Sequence, residues 1–169
     1  APGTATLDPT PAGVLILNDD SAAVTVDPTA GLVTTEAGGT ATFTVGLTSE
    51  PAAPVTVTLT SDNPAEGTVS PEWMVFTRDD WSARTATVIG QDDHIDDGDK
   101  PYSIVTGPAV SLDPDYDGLD PADVAATNAD DDVAGANLSV SALTVREPSG
   151  SATFTMTLAT EPRSSVTIL

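Results

Sequence analysis

The sequence predicts an all-β protein built as an antiparallel β-sandwich. Apolar residues recur in short runs of period two, and no stretch carries a 3.6-residue period. The runs are separated by Gly, Pro, Asp and Asn; 14 prolines and 13 glycines sit mostly in these gaps, where turns need fixed or positive φ. Hydrophobic residues make up 39% of the 169, rich in Val beside Thr, so the chain can bury a core.

The predicted strands are residues 23–26, 39–47, 55–60, 73–77, 82–89, 102–106 and 123–128. The second is the clearest. Ala41, Phe43, Val45 and Leu47 fall on one face, and Thr40, Thr42, Thr44 and Gly46 on the other. Strands of this length and spacing, with turn residues between them, favour an antiparallel β-sandwich.

The sequence also repeats itself. Residues 36–57 read EAGGTATFTVGLTSEPAAPVTV and residues 147–168 read EPSGSATFTMTLATEPRSSVTI, an ungapped match at an offset of 111 residues. The acidic pair Asp19-Asp20 precedes one strand start as Asp130-Asp131-Asp132 precedes another. This divides the chain into 1–20, the last strand of a preceding repeat; 21–132, a complete sandwich; and 133–169, the first strands of a following repeat. The opening Ala1-Pro2-Gly3 reads as a mature or excised piece of something longer. The last segment alone has too few strands to close its edges, so the ends are expected to meet neighbouring repeats or copies in a fibre or longer array.

Charge narrows the function. Net charge is −21 from 5 basic and 26 acidic residues, and the acids are 20 Asp to 6 Glu. Such a surface repels phosphate backbones and anionic lipid, so no nucleic-acid or membrane partner is expected. No apolar run approaches the roughly 18–20 residues that span a bilayer, and the chain opens on no signal peptide. Zero cysteines exclude disulfides and thiolate sites. Glu favours helices, whereas the short side chain of Asp suits turns and clustering around a hard cation.

Thirteen aspartates and one cation, Lys100, lie within the 41 residues from Asp92 to Asp132. Carboxylates this dense repel unless counter-ions neutralise them. They form three groups: Asp92, Asp93, Asp96, Asp97 and Asp99; Asp113, Asp115, Asp117, Asp120 and Asp123; and Asp130, Asp131 and Asp132. Calcium takes six to eight oxygens in flexible geometry and suits loops of Asp and carbonyl oxygen, while zinc and copper want the His or Cys that this chain barely has. The first and third groups follow strands and can converge. The second carries D-x-D-x-D-G, like the start of an EF-hand loop, but its twelfth position is Val124 and no helices flank it. It stands as a second candidate metal loop beside the alternative of a structural turn.

Several stretches together resemble the Calx-beta domain in its tandem bacterial form. They are Thr35-Glu36-Ala37-Gly38-Gly39-Thr40 before an alternating strand, Gly67–Pro71 with Val75-Phe76-Thr77, the loop Gly90–Asp99, and the closing Asp130-Asp131-Asp132. The resemblance covers 21–132 and, truncated, 133–169. It implies a seven-strand, immunoglobulin-like sandwich with calcium at one end. By that resemblance Glu36 is a ligand before the second strand, and Asp92 and Asp93, with the Ile95 carbonyl as a further candidate, are ligands in the fifth-to-sixth strand loop. Asp96 and Asp99 stand where the family often has Glu, and Asp130, Asp131 and Asp132 would be ligands at the joint to the next unit. The family's acid in the third-to-fourth strand loop has no clean counterpart; Asp62 and Glu66 are nearest.

Enzyme readings find little support. His94 is the single histidine and no nucleophile motif accompanies it, while Glu66 and Glu72 lack an evident cleft. Trp73 and Trp81 lie in or beside strands, where aromatics usually serve packing. Asn137-Leu138-Ser139 matches a glycosylation sequon, a weak three-residue signal. The expectation is a non-catalytic, calcium-binding structural repeat of a secreted bacterial surface protein, adhesin stalk or filament, stiffened by Ca2+ at its joints. The alternative is an accessory carbohydrate- or protein-binding module of a secreted multidomain enzyme, favoured if Trp73 or Trp81 lies exposed in a shallow groove.

Overall fold

A computed structural model describes residues 20–168. Most of the expected repeat tail at 1–20 therefore lies outside the described residues, as does Leu169. Twelve strands form, and no helix is present among the described residues: β1 Val24–Asp27, β2 Leu32–Thr35, β3 Thr40–Leu47, β4 Val55–Ser61, β5 Gly67–Ser70, β6 Trp73–Phe76, β7 Arg84–Gly90, β8 Lys100–Thr106, β9 Val110–Ser111, β10 Val124–Ala129, β11 Ala136–Leu138 and β12 Met156–Leu158. One sheet runs β1-β3-β7-β5; the other runs β2-β10-β8-β4-β6, with β9 also on β4.

The two sheets close on one core. Phe43, Val45, Ala86 and Val88 of the first sheet meet Val55, Val57, Leu59, Met74, Phe76, Ile104 and Val124 of the second, all buried. The alternation in β3 is as its sequence reads: Phe43, Val45 and Leu47 are buried while Thr40 and Thr42 are exposed. Burying one such large side chain contributes about 1.5–3 kcal/mol.

All seven expected strands form, with ends moved by one or two residues, and the second sheet departs from a purely antiparallel plan. The β2–β10 pair is parallel, Ala126 opposite Leu32 and Asn128 opposite Thr34. The chain leaves the first sheet after β1, turns at Gly31 (φ 80°), and enters the second sheet as β2. β2 was missed because its inward residues are Leu32 and Thr34, so apolar alternation is broken by a buried hydroxyl. β5 carries a single large apolar residue, Val69, and only its likeness to a family motif marks it.

Below the acid-rich end lies a buried polar network. Thr34 Oγ1 is hydrogen-bonded to the Tyr102 hydroxyl at 2.9 Å and donates to Asn128 Oδ1 at 3.0 Å. Asn128 Nδ2 donates to the Gln91 carbonyl at 2.8 Å. The Tyr102 ring lies against Gly67, where a Cβ would overlap the ring.

Residues 133–168 add the antiparallel pair β11–β12, with Leu138 opposite Met156 as Val26 is opposite Val45 in β1–β3. Its bond from Ala159 N–H to the Gly135 carbonyl (2.9 Å) has the place of that from Thr48 N–H to the Ala23 carbonyl (3.0 Å). Unlike β3, β12 is exposed: Phe154 is open where Phe43 is buried.

Gly67→Ala is expected to destabilise the sandwich by about 1–3 kcal/mol, because Tyr102 is tethered by its hydroxyl and cannot yield freely. A calorimetric melt checks this. Gly31→Ala tests a different cause, positive φ in open space, and should cost less, about 1 kcal/mol.

Candidate metal centre

Three strand ends position the acids at one end of the sandwich. Glu36 follows β2, the loop 91–99 follows β7, and Asp130–Asp132 follow β10. Because β2 and β10 run parallel, both strands deliver their next residues to the same end. Glu36 N–H donates to the Ala129 carbonyl at 3.1 Å, which extends that pairing to the acid itself. The Gln91 carbonyl, held by Asn128, starts the third arm.

Among the described residues, one group of three or more metal-ligating side chains converges. Glu36, Asp130 and Asp132 each place a carboxylate oxygen within 4.8 Å of the others. Glu36 is only 3% exposed. Asp130 is fixed by backbone donors: Oδ2 accepts from Asp97 N–H at 2.9 Å and from Gly98 N–H, and Oδ1 accepts from Asp132 N–H at 2.8 Å. Asp131 points its side chain to solvent, but its N–H donates to Glu36 Oε2 at 3.2 Å.

The remaining loop acids have assigned neighbours. Asp93 Oδ1 accepts from Ile95 N–H (2.8 Å), Asp99 Oδ1 from Asp130 N–H (3.1 Å), and Asp96 Oδ2 from Ala134 N–H (2.7 Å). The Asp92 side chain is exposed, and its charge acts on Asp132 as that of Asp93 acts on Glu36. Asp62 instead accepts from Ser103 N–H at 2.8 Å, and Glu66 is half-buried beside β5.

The electrostatics divide this end in two. Asp97 is neutralised by the protein: Lys100 Nζ lies 2.9 Å from its Oδ1 and Arg163 Nη2 2.6 Å from its Oδ2. No lysine or arginine pairs with Glu36, Asp130 or Asp132 among the described residues. Burial raises the Glu36 pKa above the ordinary carboxylate range; the Asp131 N–H opposes this, and the charges of Asp130, Asp93 and Asp132 add to it. Asp132 is also raised, by desolvation first, with His94 opposing and Asp130, Asp131 and Asp92 adding. Asp130 is lowered, chiefly by the Asp132 and Gly98 N–H donors.

The donor set fits a hard divalent cation. It is all oxygen, carries excess negative charge, and leaves Asp132 Oδ2 shielded from solvent with no hydrogen-bond partner. Glu36, Asp130 and Asp132 would hold the ion, with Asp92 and Asp93 adding negative potential.

The second loop lies at the opposite end, beyond the last residue of β3, and its acids do not converge in this way. Asp113 is buried and caps backbone, accepting from Ala52 N–H at 2.7 Å and Asp115 N–H at 3.0 Å. Asp117 accepts from Ser111 N–H and Asp123 from Thr106 N–H, while Asp115 and Asp120 are exposed. Tyr116, 1% exposed, donates its hydroxyl to the Ser49 carbonyl at 2.6 Å and anchors the loop as a packed turn.

The sequence marks Asp97 only as one acid of the first group and Lys100 only as the single cation of that stretch, and it does not single out Arg163, Thr34, Gln91 or Asn128 for this end. Their role depends on contacts up to 94 residues apart in sequence, which no local pattern marks. Of the tryptophans, Trp81 packs partly against the core and Trp73 is exposed on edge strand β6.

No protein-family profile matches the sequence, and no curated protein matches it. Among solved structures, the chain is similar to the periplasmic chaperone SfaE, at 10% identity with a TM-score of 0.50, over 64% of this chain and 58% of that one. It thus spans little more than half the chaperone's length. It is also similar to the apo-form Calx CBD1 domain, at 12% identity with a TM-score of 0.49, over 64% of this chain and 98% of that one. The likeness to the chaperone is one of fold: an immunoglobulin-like β-sandwich. No helix among the described residues is long and apolar enough to cross a membrane.

Glu36 gives a pH prediction for the metal-free protein. Its raised folded pKa means that its favourable contribution is present below the ordinary glutamate range and is lost as pH rises through the folded value. Glu36→Gln, measured in chelator at pH 7, should therefore raise the melting temperature. The gain should vanish below about pH 4, where wild-type Glu36 is itself protonated. Asp130 has the opposite sign, contributing above the ordinary aspartate range and losing that contribution as pH falls through its lowered value.

Proposed function

We propose that residues 21–132 are a Calx-beta-like, calcium-binding structural repeat, non-catalytic, in a secreted bacterial surface protein such as an adhesin stalk or extracellular filament. One observation carries the reading: Glu36, Asp130 and Asp132 converge without a basic partner, although the same end supplies two cations to Asp97. The ordered resemblance of Glu36, the 90–99 loop and Asp130–Asp132 to the Calx-beta pattern supports it independently.

The mechanism is mechanical. Asp130 and Asp132 lie just before residue 133, so fixing their carboxylates restrains the chain where it leaves the sandwich. That joint already carries contacts from the following segment. Ala134 N–H donates to Asp96, Glu161 N–H to the His94 carbonyl at 2.6 Å, and Arg163 pairs with Asp97. A bound divalent cation supplies the charge that lets the 91–99 loop and the 130–132 segment stay together. Removing it restores repulsion among their carboxylates, which loosens the joint and weakens the sandwich. The partners in this reading are neighbouring repeats or copies of the same protein, and the setting is outside the cell, where calcium near 1 mM matches extracellular modules whose Kd is about 0.1–1 mM.

Calcium should raise the melting temperature of the full chain saturably over EDTA, with magnesium weaker. Asp130→Asn and Asp132→Asn should each weaken calcium at least tenfold, while Asp115→Asn and Asp117→Asn should leave it unchanged. A melt indifferent to calcium, or a response untouched by the Asp130 and Asp132 variants, contradicts the proposal.

A further inference from the structure

We propose that the groove beside Trp73 is a binding site for a neutral saccharide. The site goes beyond the calcium reading and does not rest on it: none of the converging acids lines the groove.

β6 alternates cleanly, with Met74 and Phe76 in the core and Trp73 and Val75 outward. Trp73 is 58% exposed, whereas Trp81 packs partly against the core. An indole held outward on a strand presents a large apolar plane to water without the burial that usually compensates it. Thr58 is the direct cross-strand partner of Trp73, and Thr60 follows two residues on, on the same face of β4. Glu72, Ser61 and Pro64 line, with Trp73, a groove of about 420 Å³, within the size range of ligand sites.

The polar groups around the indole are unspent. Among the described residues, the side chains of Thr58, Thr60 and Glu72 make no hydrogen bond, although the Glu72 carbonyl accepts from Leu59 N–H at 2.7 Å. An exposed indole in a groove also lined by Thr58, Thr60 and the Glu72 side chain matches a pyranose, whose C–H face stacks on an aromatic plane while its hydroxyls donate and accept. The net charge of −21 opposes acidic sugars, and the hydroxyls of Thr58 and Thr60 on the groove suit the hydroxyls of a neutral one. A peptide strand fits less well: β6 has four residues and Pro71, just before it, lacks an N–H, so the edge offers little ladder.

The test is a calorimetric titration of the full chain in calcium buffer with cellohexaose, xylohexaose, maltohexaose and chitohexaose, alongside alginate and a (Thr-Val)3 peptide. At least one neutral hexasaccharide should bind and shift the tryptophan fluorescence. Trp73→Ala should weaken that sugar at least tenfold with an unchanged melting temperature, since the side chain is outside the core. Glu72→Gln and Thr58→Val should weaken it severalfold, Trp81→Phe should not, and Asp132→Asn should retain it. The proposal is overturned if no neutral sugar binds, if binding survives Trp73→Ala, or if alginate or the peptide binds more tightly than every neutral sugar.

Discussion

The parallel pairing of β2 with β10 forces like charges together. Leu32 to Thr35 and Ala126 to Ala129 run side by side in one direction, so the residues that follow them leave the sheet at the same end. Those residues are Glu36 and Asp130–Asp132. An antiparallel pairing would have sent them to opposite ends. The carboxylates are therefore neighbours by topology, and their repulsion persists unless something at that end balances it.

What holds the arrangement is a polar network inside an otherwise apolar core. Thr34 on β2, Asn128 on β10 and Tyr102 on β8 satisfy one another, and Asn128 also fixes the first residue of the acid loop through the Gln91 carbonyl. Buried polar groups are costly unless fully bonded, so this network locks strand register as well as adding stability. Gly90 belongs to the same device. A Cβ there would overlap the Thr35 carbonyl and Asn128 Oδ1, which explains a glycine at the end of an otherwise bulky strand. The protein then balances part of the acid end with its own cations and leaves the rest. Lys100 and Arg163 converge on Asp97, a residue with no converging acid set of its own. Asp130 is stabilised as an anion by three N–H donors, whereas Glu36 and Asp132 are held at a cost that a proton or a cation relieves.

Much of this was legible in the sequence, and the reasons for the rest are physical. The β3 strand reads directly because Phe43, Val45 and Leu47 alternate with Thr, and burial follows that alternation. The meeting of the 92–99 loop with 130–132 also follows from acid runs placed after strands. β2 is hidden because one of its inward residues is a threonine whose hydroxyl is satisfied by residues 68 to 94 positions away. In the Asp113–Asp123 loop the motif D-x-D-x-D-G appears, yet Asp113 spends its oxygens on Ala52 and Asp115 N–H groups. A spacing pattern alone does not distinguish an oxygen aimed at an ion from one that caps a turn. Trp73 shows the same limit in reverse: its place in a strand pointed to packing, and the alternation of β6, with Met74 and Phe76 in the core, turns it outward.

The most direct measurement is a crystal structure of this chain grown in millimolar calcium, with anomalous diffraction used to locate the ion. The account predicts an anomalous peak about 2.3–2.6 Å from oxygens of Glu36, Asp130 and Asp132, with the 91–99 loop ordered around it. A fully ordered acid end with no peak there, or calcium seated only in the 113–123 loop, would contradict it.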